Sequence, residues 1–112
     1  MKPAWNPEPH RSDLDAMTGW LLLEFGANWC GFCQAIQPML GKALAQFPGL
    51  RHERIEDGRG KRLGRSFKVK LWPTLVLLHN GVEVGRVVRP QRPEEISQLL
   101  TQATESCAST KR

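Results

Sequence analysis

The stretch WLLLEFGA, residues 20–27, is almost unbroken apolar and is interrupted only by Glu24. A strand buried on both faces has this pattern, as central parallel strands do. From Cys30 onward, Ile36, Met39, Leu40, Ala43, Leu44 and Phe47 recur at steps of three and four. That spacing predicts one face of a helix ending at Pro48-Gly49, with a kink near its first turns at Pro38. Residues 50–55 predict a weaker strand, and the Gly-rich DGRGKRLGRSF that follows predicts a loop with a short helix. PTLVLLHNGVEVGRVV carries the strongest hairpin signal, two β-rich runs around Asn80-Gly81. RPEEISQLLTQATES then places Ile96, Leu99, Leu100 and Ala103 on one helical face, with Pro93 in the first turn. Ahead of the first strand, Ser12 and Asp15 have capping-box spacing, which predicts a short helix over 13–18 ended by Gly19.

Helix, strand, helix, strand, hairpin and helix is the order of an α/β sandwich with a central mixed sheet. The right-handed crossover rule lays the cysteine-bearing helix across one face of it. Pro3, Pro7 and Pro9 make residues 1–11 an extended, flexible arm; residues 12–106 form the domain and 107–112 a polar tail. With 112 residues the chain has room for a single core.

Composition changes this picture little. The net charge is +5, and much of the basic surplus lies in RHERIEDGRGKRLGRSFKVK, where it alternates with glycines and acids around a turn. That is a solvated face with weak steering of acidic partners, not the aromatic-interleaved pattern of a nucleic-acid surface. No span approaches the length of a transmembrane helix, and the start, MKPAWNPEPHRSD, lacks the apolar core of a signal peptide. A cytoplasmic protein without membrane insertion is the expectation, an exported mature form the alternative.

Three cysteines are too few, and odd in number, for a secreted disulfide scaffold, so the pair in WCGFC invites a redox or metal reading. Cys30 falls where the buried strand ends and the helix begins. Unpartnered backbone N–H groups and the positive end of the helix dipole stabilise a thiolate there, which marks Cys30 as the nucleophile. Cys33 lies on the same side of the turn within disulfide reach, and is the thiol that resolves a mixed disulfide. Half of a zinc site is the rival account. Zinc would need two more ligands, and His10, His52 and His79 are scattered while Cys107 sits in the polar tail. Purely structural thiols are the third reading, and Cys107 itself reads as incidental.

LLLEFGANWCGFCQAIQPML followed by FKVKLWPTLVLLHNGVEVGRVV resembles the thioredoxin family over residues 14–104. Trp29 before the first cysteine, Pro38 five residues after the second, and Pro73-Thr74 forty residues beyond Cys33 stand at family positions. The resemblance implies the thioredoxin-like fold, a central mixed β-sheet with helices on both faces. It also implies a cis peptide before Pro73, with the backbone of Trp72 left to pair with an extended substrate segment. Glu24 takes the position of the family's buried acid. As a carboxyl in an apolar strand, it is expected to resist ionisation and to relay protons for Cys33. Arg54 falls approximately where the family keeps a lysine near that acid; a surface arginine is the plainer account.

The chain departs from the family at several positions. Gly31-Phe32 replaces Gly-Pro between the thiols, so the redox poise does not transfer. Trp72 replaces a smaller residue, and Val88-Arg89-Pro90 stands where the family has an apolar residue, Gly and Ala. The implied substrate groove is Trp29, Gly31, Phe32, Trp72, Pro73 and Arg89, in which Arg89 would narrow access or select an acidic partner. Trp5 and Trp20 are read as packing residues. The expected protein is a monomeric disulfide reductase of protein substrates, without cofactor or metal, fed electrons by a separate reductase or a membrane donor. A specialised oxidant or isomerase, and a non-catalytic interaction module, are the alternatives.

Overall fold

The computed structural model describes residues 5, 6 and 8–110, with side chains described as far as residue 103. The apolar run predicted as a buried strand is β1 (Trp20–Gly26), every residue of which is buried after Trp20. It pairs in parallel with β2 (Arg51–Glu56) on one side and antiparallel with β3 (Thr74–His79) on the other. β3 turns back into β4 (Val82–Val88), so the sheet order is β2-β1-β3-β4 and the sheet is mixed, as expected.

Alternation along β1 divides the core in two. Leu21, Leu23 and Phe25 face Leu14 of α1 (Arg11–Asp15) and Leu63 of α4 (Arg62–Ser66), with Phe67 just beyond it. Leu22 faces the other layer, Leu40 and Ala43 of α3 (Gln37–Ala45) and Ile96, Leu99 and Leu100 of α5 (Pro93–Thr110). Helices therefore cover both faces. Among the described residues, no helix is long and apolar enough to cross a membrane.

Two predicted elements differ. The cysteine-bearing helix is two helices, α2 (Gly31–Ala35) and α3, joined at Ile36. Pro38 lies in the first turn of α3, where its missing N–H leaves no intrahelical bond unmade, so the interruption falls just ahead of it, at Ile36. The first helix starts at Arg11, before the predicted Ser12 cap, and the Asp13 carboxylate accepts from the His10 N–H at 3.3 Å. Tertiary contacts hold that earlier start. Arg11 donates to the Ser66 carbonyl at 3.0 Å and lies over the Phe67 ring, 3.8 Å from its centre.

The arm is extended and is docked where described. Asn6 bridges Ile55 on the edge of β2, and the Glu8 carboxylate accepts from the N–H groups of Arg62 and Leu63 at the start of α4. Those bonds hold the Glu8 carboxyl below its ordinary range. Pro3 and Pro7 lie outside the described residues, as do the tail residues 111–112 and the side chain of Cys107; the helix backbone itself runs to Thr110.

The hairpin turn at Asn80-Gly81 has positive φ at both residues, 52° and 80°, the combination of a type I′ turn. A Cβ on Gly81 would stand 2.5 Å from the Asp15 carbonyl oxygen, so this turn also seats the end of α1. Gly81→Ala therefore combines backbone strain with a backbone clash. It is expected to cost about 1–3 kcal/mol and to lower Tm by about 5 °C or more in a thermal melt.

Candidate active site

β1 ends at Gly26, and the chain turns through Ala27, Asn28 and Trp29 before α2. The turn is closed by the Cys30 N–H on the Ala27 carbonyl at 3.2 Å and by the Gln34 side-chain amide on the Asn28 carbonyl at 2.8 Å. Cys30 is the N-cap of α2, with extended backbone, φ −82° and ψ 111°. Its sulfur does what a capping side chain does: it accepts the Cys33 N–H at 3.1 Å.

Cys33 is 1% exposed against 6% for Cys30, and both are free thiols. Burial, followed by the hydrogen bond with Cys30, pushes the Cys33 thiol up to about 12. The same turn thus holds two buried sulfurs, and the deeper of them, on Cys33, is pushed toward the protonated form. Gly26 allows this closeness, because a Cβ there would lie 2.5 Å from the Cys33 sulfur and 2.8 Å from the Trp5 ring. Ala27, Cys30 and Cys33 form a small apolar cluster with Trp5 and Trp72 packed against it.

Beneath the thiols, Glu24 is fully buried on β1. One carboxylate oxygen accepts from the Gln37 amide at 2.8 Å; the other lies 2.9 Å from His52 Nε2 and 3.2 Å from Arg54 Nε. The same Gln37 nitrogen is 2.9 Å from the Cys33 carbonyl and so joins the acid to the resolving cysteine's backbone. Trp5 covers the Arg54 guanidinium at 4.0 Å. Arg54 stands beside the acid, in register with it across the parallel pair. His52 and Gln37 are additions the sequence reading missed. Residues 52 and 54 share one face of β2, the face Glu24 presents on β1, and that alternation is the signal that would have placed His52.

The predicted groove residues gather around the thiols. Trp29, 76% exposed, meets Trp72 edge-on with ring centres 5.2 Å apart, and Trp72 Nε1 donates to the Asp57 carboxylate at 2.9 Å. Phe32, 57% exposed, continues the rim. The Trp72–Pro73 peptide is cis, as the resemblance implied. Arg89 donates its backbone N–H to the Pro73 carbonyl at 2.9 Å and its Nε to the Trp72 carbonyl at 2.8 Å, while its guanidinium lies 4.2 Å from the centre of the Phe32 ring. Gly31 opens α2 with free space around its Cα. A cleft of about 540 Å³ beside this rim is lined by Phe32, Ile36, Met39, Pro73, Arg89 and Pro90. Among the described residues, no cluster of three or more His, Cys, Asp or Glu side chains could hold a metal ion.

A family model described as Thioredoxin matches residues 3–102. The structure superposes on thioredoxin 2 of Pseudomonas aeruginosa in its reduced form with a TM-score of 0.85 and 45% identity, covering 95% of this chain and 99% of that one. In sequence the chain is 31% identical to a thioredoxin of Chlamydia pneumoniae over 74% of this chain and 81% of the other. To an H-type thioredoxin of Fagopyrum esculentum it is 28% identical, over 74% and 72%.

Proposed function

The chain belongs to the thioredoxin family of thiol–disulfide oxidoreductases, and from that membership we propose that it works as a reductant of protein disulfides. One observation carries the assignment of roles: the Cys33 N–H bonded to the Cys30 sulfur at 3.1 Å, with Cys33 the more deeply buried of the two. Cys30, as thiolate, attacks one sulfur of the substrate disulfide. The other substrate sulfur leaves as a thiolate and takes up a proton. Cys33 then gives its proton to the Glu24 site and attacks the Cys30 sulfur, releasing the second substrate thiol and closing a Cys30-Cys33 disulfide. Two electrons have passed to the substrate.

A separate reductase returns them. No bound cofactor enters either exchange. Trp29, Phe32 and Trp72 supply an apolar, aromatic rim on which an extended substrate segment lies, with the backbone around Trp72–Pro73 beside it. A monomer in a reducing cytoplasm, binding no nucleic acid and inserting in no membrane, completes this reading.

Titration of the Cys30-Cys33 couple against a thiol–disulfide buffer tests the direction. A midpoint below about −230 mV is expected; a value near the about −120 mV of strong oxidants would overturn the reductant assignment and favour the oxidant reading.

A further inference from the structure

Arg89 sits at a left-handed backbone position, φ 47°, that L side chains rarely adopt. Two bonds to neighbouring carbonyls hold it there, the N–H on Pro73 and Nε on Trp72. The result is a side chain that crosses from the Trp72–Pro73 loop to the Phe32 ring and forms one wall of the cleft beside the thiols. The Trp72 carbonyl is the acceptor that a substrate strand added beside this loop would use, and Arg89 Nε already occupies it.

Arg89 pairs with no carboxylate among the described residues, where the ion pairs involve Arg11, His52, Arg54 and Arg86. Of the two acids in the first turn of α5, Glu94 and Glu95, neither forms an ion pair with Arg89, and Glu95 is taken up by the backbone N–H groups of Gln91 and Arg92. A guanidinium that lies over an aromatic ring and uses Nε on a carbonyl retains its two terminal nitrogens for a ligand, in the fork that matches a carboxylate.

We propose that Arg89 is a specificity-determining gate, which favours protein disulfides carrying an Asp or Glu beside the attacked cysteine. This deepens the reductase reading and rests on it. A neutral or basic segment must displace Arg89 from both the Trp72 carbonyl and the Phe32 ring to reach the loop. An acidic one draws the guanidinium onto itself, so the displaced contacts are replaced by a charge-assisted bidentate pair.

Three disulfide-linked peptides, identical except for Glu, Gln or Lys next to one cysteine, give the test, with kcat and KM measured for wild type, Arg89→Gly and Arg89→Glu at low and high salt. Wild type is expected to prefer the Glu peptide over the Lys peptide by about tenfold, mostly in KM, with the preference shrinking in high salt. Arg89→Gly suits the positive φ and should reduce the three peptides within about twofold of one another, the Gln peptide faster than wild type does. Arg89→Glu should invert the order. If wild type reduces all three equally, or if Arg89→Gly keeps the wild-type ranking, the gate is disproved while the reductase reading stands. If wild type reduces none of the peptides and no insulin, both are wrong.

Discussion

Cys30→Ser abolishes insulin reduction, with a rate lowered by about 10⁴-fold or more, whereas Cys33→Ser stops after the first exchange and accumulates a mixed disulfide with the substrate. The asymmetry comes from one helical turn. Cys30 caps α2 with its sulfur facing a backbone N–H, and a hydroxyl at that place caps equally well but cannot attack a disulfide. Cys33 is enclosed by Trp5, Gly26 and Ala27, and no substrate sulfur reaches it before Cys30 has reacted. Burial, followed by the hydrogen bond with Cys30, pushes the Cys33 thiol up to about 12, which holds it in the protonated form near neutral pH. Iodoacetamide should therefore label Cys30 first, and non-reducing electrophoresis should show the substrate adduct with Cys33→Ser alone. Equal insulin reduction by wild type and Cys30→Ser, followed as turbidity with dithiothreitol, would remove the catalytic role.

Hydrophobic periodicity was enough to order the elements, because β1 is buried on both faces and α5 presents a clean stripe to the sheet. It could not separate α2 from α3. The apolar steps at Ile36, Met39, Leu40 and Ala43 run on from the junction without a break, and a one-residue interruption at Ile36, itself in the right-handed helical region, leaves that spacing intact. The start of α1 was displaced for a tertiary reason, since Arg11 is drawn into the helix by Ser66 and Phe67, residues 55 and 56 positions away. At the site, spacing alone made the thiol pair legible. Of the surroundings of Glu24 only Arg54 was, and that through the family resemblance; it is buried beside the acid and not on the surface. An acid in WLLLEF reads as isolated, and only the register of β1 with β2 and the approach of α3 bring His52, Arg54 and Gln37 onto it. Arg89 was visible as a departure from the family, while its crossing to Phe32 depends on a backbone angle that Val-Arg-Pro does not announce.

Those neighbours of Glu24 change what its replacement should do. Glu24→Gln is expected to slow resolution of the mixed disulfide by about 10²-fold at pH 7, the lower range of what a positioned base contributes. A thiol pushed up to about 12 must lose its proton before it attacks, and Glu24, joined to the Cys33 backbone through Gln37, is the acceptor proposed for it. Without it the proton leaves to hydroxide, so the resolving rate of Glu24→Gln should climb about tenfold per pH unit between pH 7 and 9. The wild-type profile should be flatter. The substitution also removes the negative partner that His52 and Arg54 share inside the fold, a change expected to cost about 3 kcal/mol. Chemical denaturation measures that loss, and stopped-flow release of the second substrate thiol, in conditions where the variant is fully folded, measures the rate. The two readouts divide structure from proton transfer. Loss of stability together with a wild-type resolving rate and pH slope would leave Glu24 a structural anchor and would require another acceptor for the Cys33 proton.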